Sequence, residues 1–202
     1  RVFGAAGRAH RFITIGSPSE LARASEAAAE EARRQGSVLV AVGGDGTINT
    51  VAQAAWKHGC ALGVLPQGTF NLFGRNLGIA QDLETAARAL LQAAPAPVQV
   101  GEVNGRLFLV NASLGLYPQL LQDREAFKQQ LGRHRWVALL SGLKTLFVWR
   151  RQLALEFELD GERQVVTTPT LFVGNNRLQF EQLGVDPALA GGLEFSQYAR
   201  LV

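Results

Sequence analysis

The feature that most constrains the fold is an apolar run that ends in glycines. Val38–Val42 leads directly into Gly43-Gly44-Asp45-Gly46-Thr47, and a helical pattern follows from about Ile48 to Lys57. A short apolar run bounded by glycine predicts a buried strand. Glycines let backbone N–H groups approach an anion without a Cβ in the way, and the N-terminus of the following helix adds more N–H groups. The pattern therefore predicts an α/β chain with a phosphate-binding loop.

A second loop of the same kind follows the next predicted strand. Ala61–Leu65 is apolar, and Pro66-Gln67-Gly68-Thr69-Phe70-Asn71 comes directly after it. Strands that alternate with helices form a parallel sheet, whose ligands bind at the carboxyl ends of the strands. Both loops fall at such ends, so we expect them to share one crevice. Taken alone, each loop is also compatible with an ordinary turn.

The rest of the first half repeats the alternation. Arg11–Ile15 predicts a short strand, and Ser19 is expected to cap a helix from about Glu20 to Gln35. Leu72–Asn76 predicts a short helix, and Asp82 is expected to cap a further helix that runs to about Gln92. These elements complete the prediction of an α/β nucleotide-binding domain over residues 1–97.

The pattern changes at Ala93-Ala94-Pro95-Ala96-Pro97. Beyond it, alternating apolar and polar segments flank Asn104-Gly105 and Asp160-Gly161, the turn pairs typical of antiparallel hairpins. The sequence thus predicts a β-rich, sandwich-like domain over residues 98–202, with a helical insertion near 119–149. For Asp160-Gly161-Glu162 we favour a turn over a catalytic pair of carboxylates.

Composition narrows the classes of partner. Hydrophobic residues make up 47% of the chain and charged residues 18%, as in ordinary globular proteins. The net charge of +3 suits phosphate ligands or an anionic membrane, but few basic residues lie near the glycine loops, which argues against nucleic acid. The single cysteine excludes an internal disulfide framework, and the three scattered histidines offer no zinc spacing. The longest apolar stretch, residues 136–149, is too short to span a bilayer. We therefore expect a soluble or at most peripheral protein.

Residues 123–151 combine basic and aromatic side chains. Seven basic residues face two acidic ones, and tryptophan, leucine and phenylalanine are interleaved with them. One interpretation is an amphipathic helix that packs on the domain with a solvated basic face. The other is a segment that faces an anionic membrane, with aromatic rings at the depth of the headgroups.

The two glycine loops together resemble the catalytic domain of the diacylglycerol kinase family, which includes sphingosine kinases and bacterial lipid kinases. Residues 43–49 and 63–71 carry the resemblance. Asn104-Gly105-Arg106 and Val173-Gly174-Asn175-Asn176 are also similar to segments of that family. The resemblance covers nearly the whole chain and implies an α/β nucleotide domain followed by a β-rich domain.

The resemblance implies ATP-dependent phosphorylation of a lipid hydroxyl, on diacylglycerol or a related lipid, with Mg²⁺ as cofactor. It implies that Asp45 is catalytic and works with Mg²⁺ or with the acceptor hydroxyl, while no metal ligand is otherwise assigned. It also implies a cytoplasmic enzyme in peripheral contact with an anionic membrane, with a homodimer left open. The residues that it implies for nucleotide binding are Thr14, Gly43, Gly44, Asp45, Gly46, Thr47, Gly68, Thr69 and Asn71.

The chain departs from the family pattern at several positions. Leu72 stands where an Asp or His is common, and Gly191 lacks a carboxylate that helps hold a structural Mg²⁺ in some relatives. We expect the family's first strand before Arg1 and its later Asp-Gly-Glu motif beyond the C-terminus, so the chain is expected to be truncated. Two alternatives to a lipid kinase stay open. One is a non-catalytic lipid- or nucleotide-binding homologue. The other is an NAD kinase, which shares Gly-Gly-Asp-Gly but usually has a different second loop.

Overall fold

The computed structural model describes residues 1–115, 152–159, 161–175 and 198–201. Within these residues the predicted mixed α/β architecture is confirmed, with parallel strands in one sheet and further small antiparallel sheets. The chain divides into two compact units, Arg1–Asn111 with Gly174–Val202, and Ala112–Val173. The predicted helical insertion near 119–149 and the whole of the basic segment 123–151 lie outside the described residues.

The elements follow one another in a simple order. After the short helix α1, a 3₁₀ turn at Pro18–Glu20 leads into the first long helix. The helices are α1 Val2–Ala5, α2 Leu21–Gln35, α3 Asp45–His58, α4 Leu72–Asn76 and α5 Leu83–Gln92. The strands are β1 Val38–Gly43, β2 Ala61–Pro66, β3 Ala96–Gln99, β4 Gly101–Val103, β5 Arg106–Phe108, β6 Asn111–Gly115, β7 Leu153–Leu159, β8 Glu162–Thr168, β9 Thr170–Gly174 and β10 Tyr198–Leu201.

The main sheet of the first unit has the strand order β1-β2-β10-β3. β1 and β2 run parallel, in a register that sets Val38 opposite Ala61 and Gly43 opposite Pro66. β10 pairs parallel with β2 and antiparallel with β3. The register brings the carboxyl ends of β1 and β2 to the same edge, where the N–H of Gln67 donates to the carbonyl of Gly43 at 2.8 Å.

The core of the first unit lies between this sheet and helices α2 and α3. Ile48 on α3 is fully buried, and small side chains around it let the helices approach closely. Burial of a side chain of this size contributes roughly 1.5–3 kcal/mol. Because α3 is fixed by this packing, its first turn is held at the carboxyl edge of the sheet. The buried partners of Ile48 in this cluster include Ala29, Ala32, Ala41, Val51, Ala52, Ala55, Leu62 and Val64.

Local helix signals in the sequence correspond to real caps. α2 and α3 end at Gly36 and Gly59, whose φ angles of 62° and 67° lie in the left-handed region that glycine adopts without strain. The predicted cap of α5 is confirmed, since the Asp82 carboxylate accepts the N–H of Thr85 at 2.8 Å. These residues fix where three of the helices begin or end.

Three local predictions are wrong. Ser19 does not cap α2, which begins at Leu21 without a side-chain cap, because the hydroxyls of Ser17 and Ser19 bond to each other at 2.9 Å. α3 begins at Asp45 rather than near Ile48, so the end of the glycine loop is already helical. Arg11–Ile15 forms no strand. A strand needs a neighbouring strand to pair with, and none of the described strands pairs with this segment. Phe12, in this segment, is accordingly 72% exposed.

The first unit extends beyond residue 97, where the sequence suggested a domain limit. β3 spans that position and belongs to the main sheet because it pairs with β10. The hairpin β4–β5 also lies in this unit, and its turn residues Asn104 and Gly105 have φ angles of 51° and 72°, as the pair predicted.

The second unit contains the antiparallel hairpin β7–β8 and most of the pair β6 and β9. Within β7–β8, Arg163 and Glu156 form an ion pair. In the described part of the chain, no helix is long and apolar enough to cross a membrane.

Candidate functional site

The structure brings the two glycine loops into backbone contact. The first glycine loop is Gly43–Thr47 and the second is Gly68–Asn71. A Cβ on Gly68 would lie only 2.5 Å from the Cα of Gly44, and a Cβ on Gly44 would lie 3.1 Å from the Cα of Gly68. Because real side chains do not approach so closely, this contact requires glycine at position 68 and favours it at 44. The expected single crevice thus has a steric basis.

The first turn of α3 presents backbone N–H groups at this contact. The first intrahelical bond runs from the N–H of Ile48 to the carbonyl of Gly44 at 3.0 Å. By helix geometry, the N–H groups of Asp45, Gly46 and Thr47 precede that bond and have no intrahelical acceptor. Together with the helix dipole they form an arrangement that favours anions. A Cβ on Gly46 would meet nothing within 4 Å, so the space beside this turn is open.

Asp45 uses its carboxylate to join the two loops. Its Oδ2 accepts the N–H of Leu72 and its Oδ1 accepts the N–H of Phe73, both at 3.1 Å. These donors are the first N–H groups of α4, so Asp45 caps a helix that begins 27 residues further along the chain. The carboxylate of Asp45 is therefore bonded to the N–H groups at the start of α4, which stabilise its negative charge.

Asn71 shapes the turn of the second glycine loop. The residue is buried and adopts a left-handed conformation with φ of 50°. Its Oδ1 accepts the N–H of Gly68 at 2.7 Å, and its Nδ2 donates to Oε1 of Gln81 at 2.9 Å. Both ends of this amide are thus bonded within the protein. A Cβ on Gly68 would come within 2.8 Å of Oδ1, which is a second reason for glycine there.

The three threonines expected to bind nucleotide lie in different surroundings. Thr47 lies on the first turn of α3, with its side chain against Gly43, where a Cβ would come within 2.8 Å. Thr69 is exposed in the second glycine loop. Thr14 is exposed in the irregular segment before Pro18, and no hydrogen bond between described residues joins it to either loop. The structure gathers the other predicted residues into the two loops and leaves Thr14 outside these contacts.

The described residues contain no cluster of three or more histidine, cysteine, aspartate or glutamate side chains that could enclose a metal ion. Asp45 is the carboxylate that belongs to the glycine loops. Gly191, where some relatives have a metal-binding carboxylate, lies outside the described residues, as does Asp160.

Three amide side chains that support the site were not assigned a role from the sequence. Gln81 holds the amide of Asn71. Asn49 and Gln53, on α3, bond to the backbone around β5. The spacing of four residues between Asn49 and Gln53 is the one signal that could have grouped them, because it sets both on one face of a helix.

Two parallel strands, with touching glycine loops at their carboxyl ends, define an α/β protein whose candidate site lies where such folds bind ligands. Comparisons with known proteins give the family. Residues 6–103 match the family model of the diacylglycerol kinase catalytic domain. The chain belongs to the diacylglycerol kinase catalytic-domain family, as the loop motifs predicted.

Individual relatives support this assignment. The chain is 34% identical over 180 residues to a diacylglycerol kinase of Bacillus subtilis, covering 84% of this chain and 57% of that protein. It is 42% identical over 118 residues to a Pseudomonas aeruginosa protein named "Probable lipid kinase YegS-like", covering 56% of this chain and 38% of that protein. A crystal structure of a diacylglycerol kinase from Bacillus anthracis shares the fold, with a TM-score of 0.62 at 23% identity over 87% of this chain and 56% of that one. The matches thus span little more than half the length of the two diacylglycerol kinases and 38% of the YegS-like protein.

Proposed function

We propose that the protein transfers the γ-phosphoryl group of ATP to the hydroxyl of diacylglycerol or a related lipid. The observation that carries the proposal is the contact between the two glycine loops beside the open first turn of α3. This arrangement suits a polyphosphate, and the names of the relatives support a lipid as the acceptor. We further propose that the reaction takes place in the cytoplasm, at the surface of an anionic membrane, and involves no nucleic acid.

Phosphoryl transfer requires little covalent chemistry from the protein itself. The lipid hydroxyl oxygen bonds to the γ-phosphorus, and the bond from that phosphorus to the β-γ bridging oxygen breaks. ADP leaves with the bridging oxygen, and the hydroxyl proton passes to solvent. Such transfers depend mainly on positioning and on neutralising the charge of the phosphate oxygens. N–H groups of the first turn of α3 would bind phosphate oxygens, and glycine at position 46 lets them approach. Thr14, Thr47 and Thr69 are proposed as further nucleotide contacts.

Asp45 is the proposed catalytic carboxylate. Mg²⁺ usually keeps several waters and is bound by one or two carboxylates together with substrate phosphates. Each carboxylate oxygen of Asp45 accepts one N–H, which leaves a further lone pair on each. The residue therefore fits a Mg²⁺ that arrives with the nucleotide, and the bound ion would neutralise phosphate charge. The capping bonds to α4 would keep the carboxylate in position.

The test is transfer of label from γ-radiolabelled ATP to lipid by the purified protein. The acceptor panel contains diacylglycerol, monoacylglycerol, phosphatidylglycerol, ceramide and sphingoid bases, each with and without Mg²⁺. With one acceptor class, we expect labelled phosphate to appear in the lipid that organic solvent extracts. Without Mg²⁺, no labelled lipid should form. A parallel assay for NADP formation separates an NAD kinase from a lipid kinase.

Two outcomes would contradict the proposal in different ways. ATP binding in calorimetry without labelled product across the panel would indicate a non-catalytic homologue that retains the scaffold. No ATP binding at all would show that the glycine loops of this chain do not form a nucleotide site.

A further inference from the structure

Two amide side chains of α3 bond to the backbone of a strand segment far along the chain. Asn49 donates through Nδ2 to the carbonyl of Leu107 at 3.1 Å and accepts the N–H of Leu109 through Oδ1 at 3.0 Å. Gln53 accepts the N–H of Leu107 through Oε1 at 2.6 Å and donates through Nε2 to the carbonyl of Gly105 at 3.4 Å. We call these two side chains and their four bonds the carboxamide clamp.

The carboxamide clamp takes the place of a neighbouring strand. Successive residues of a strand direct their backbone groups to opposite edges, and the clamp bonds only to alternate residues, Gly105, Leu107 and Leu109. β5 pairs with β4 along its other edge. Each amide uses both its oxygen and its nitrogen, so it behaves as a peptide group of the missing strand would.

The clamp bonds reach buried backbone groups of the strand segment, so they restrain its position. Leu107 and Leu109 are buried, with 3% of each residue exposed, so water does not readily replace the amide partners of their N–H groups. Asn49 follows Asp45 by one helical turn, and Gln53 follows by two. The clamp therefore connects the turn beside the glycine loops to the hairpin β4–β5 through a single short helix.

We propose that the carboxamide clamp couples nucleotide binding at the first turn of α3 to the order of Gly105–Leu109. A ligand that binds the N–H groups of that turn restrains α3, and the restrained amides hold the strand segment. Asn49 and Gln53 are thus positioning residues that touch no substrate. The inference rests on the proposed nucleotide site and assigns it a second effect, since the restrained segment leads along the chain to Asn111, where the first stretch of the first unit ends.

Thermodynamic linkage makes the proposal quantitative. If nucleotide opposes opening of the clamp by some factor, then opening the clamp must weaken nucleotide binding by the same factor. Coupling between sites commonly amounts to about 5- to 150-fold. A variant without the clamp should lose nucleotide affinity by the factor that the wild-type protein shows in protection.

The experiment measures amide hydrogen exchange by NMR with and without a non-hydrolysable ATP analogue and Mg²⁺. We expect the analogue to slow exchange about fivefold or more at Ile48, Leu107 and Leu109. The N–H of Thr85 is the internal control, because it is bonded to Asp82 at the start of α5 and lies outside the clamp. We expect its exchange to change little.

Gln53→Met removes two of the four clamp bonds while keeping side-chain length. It should weaken analogue binding by at most the factor measured at Leu107 and abolish the protection there. Gln35→Met is the matched control, since among the described residues the amide of Gln35 bonds to Glu31 alone, on its own helix, at 3.0 Å. If Gln53→Met fails to fold, the exchange pattern of the wild-type protein decides the question by itself.

Each result has one meaning. Slower exchange at Ile48 but not at Leu107 and Leu109 would overturn the clamp and leave the nucleotide site intact. Equal slowing at Thr85 would report stabilisation of the whole unit and would also overturn the clamp. Analogue binding that leaves Ile48 unchanged would overturn it too, because the ligand would then not act through the first turn of α3. Absence of analogue binding would instead refute the proposed function on which the inference rests.

Discussion

The lack of a side chain is expected to matter at Gly46 and at Gly68 for different reasons. A Cβ on Gly46 meets open space, so the fold does not require glycine there. We predict that Gly46→Ala folds and is as stable as the wild type or up to about 1 kcal/mol more stable, because alanine favours a helix. Its affinity for ATP should nevertheless fall clearly, since the new methyl group occupies the approach to the N–H groups. Thermal unfolding and calorimetry of ATP binding measure the two effects separately.

Gly68→Ala is the matched control, because its Cβ would collide with the backbone of Gly44. We expect it to lose about 1–3 kcal/mol of stability, as overpacked variants do. An unchanged ATP affinity in Gly46→Ala would show that phosphate does not bind at the first turn of α3.

Asp45→Asn is predicted to weaken the structure as well as the chemistry. Asparagine retains one acceptor oxygen, so one of the N–H groups of Leu72 and Phe73 loses its carboxylate partner. The loss should cost about 1.5–3 kcal/mol, the range for a hydrogen bond to a charged group. Urea unfolding measures this cost, and lipid phosphorylation is assayed only under conditions in which the variant is folded.

Asp82→Asn is the control for this substitution. Asp82 also caps a helix, but asparagine is an equally good cap at an ordinary N-terminus. We expect little change in stability and none in activity. If Asp45→Asn is as harmless as this control, Asp45 neither joins the loops nor takes part in transfer.

The residues of the site differ in how far the sequence reveals them. Glycines, a carboxylate and hydroxyls next to apolar runs are a local signal, and they predicted which loops meet. The partners of Asp45 lie 27 and 28 residues away, and those of Asn49 lie 58 and 60 residues away. No local pattern contains such pairs, so the sequence suggested catalysis for Asp45 and could not show its bonds to α4.

At the scale of elements, the hairpin β4–β5 is held by a ring packed on a glycine. Gly101 lies opposite Phe108, and a Cβ at position 101 would come within 2.1–2.5 Å of ring atoms of Phe108. We predict that Gly101→Ala costs about 1–3 kcal/mol in the wild-type background. The cost should be smaller in a Phe108→Leu background, because the ring is gone. Urea unfolding of the four proteins gives the coupling energy, and strictly additive costs would contradict the packing described.

The contact between α2 and α3 predicts a dependence of stability on acid pH. Glu26 accepts hydrogen bonds from His58 at 2.7 Å and from Lys57 at 3.1 Å. The bond from His58, followed by that from Lys57, lowers the pKa of Glu26 below its ordinary value of 4.5. A lowered carboxyl pKa stabilises the fold above the unfolded-state pKa, and this stabilisation is lost as the pH falls through the folded-state pKa.

Glu26→Gln should therefore destabilise the protein at neutral pH by only about 0.2–1 kcal/mol, because the pair is partly exposed to solvent. The difference from wild type should shrink toward zero as the pH falls through the lowered pKa of Glu26. Glu30→Gln makes the same chemical change on the same helix and is the control. Urea unfolding of the variants and the wild type at neutral pH and at a pH below the pKa of Glu26 measures this difference in stability. A difference that grows on acidification would contradict the assignment.

The boundaries of helices and strands were predictable where their causes lie close in sequence, and not where their causes are distant. Gly36, Gly59 and Asp82 end or begin helices through bonds to residues close in sequence, and all three were predictable. Arg11–Ile15 has the alternation of a strand, but a strand also needs a partner, and periodicity cannot report one. α3 starts earlier than expected because Gly44 can act as its N-cap in an extended conformation, with ψ of 177°.

At the scale of the whole molecule, chain order and spatial order diverge. β10, from the last residues of the chain, lies between β2 and β3 in the main sheet. Hydrophobic pattern alone assigns the chain after residue 97 to a second domain, because it contains hairpin signals and no βαβ unit. The return of the chain to the first sheet is a long-range pairing, which only the three-dimensional structure reveals.

The two units lead to a prediction about the response of the whole protein to nucleotide. All the residues proposed to bind ATP lie in the first unit, so ATP should stabilise that unit. At a ligand concentration of 100 times Kd, binding adds about 2.7 kcal/mol, which raises Tm by roughly 5–15 °C. Differential scanning calorimetry with and without Mg²⁺ and ATP measures the shift.

Gly68→Ala identifies the transition, because it perturbs the first unit directly and should lower the Tm of the same transition that ATP raises. The two effects share one cause, since the contact between Gly44 and Gly68 holds together the loops that are proposed to bind the phosphates. The variant should also show a smaller ATP-induced shift than the wild type. If ATP raises one transition while Gly68→Ala lowers another, the nucleotide does not bind at the glycine loops.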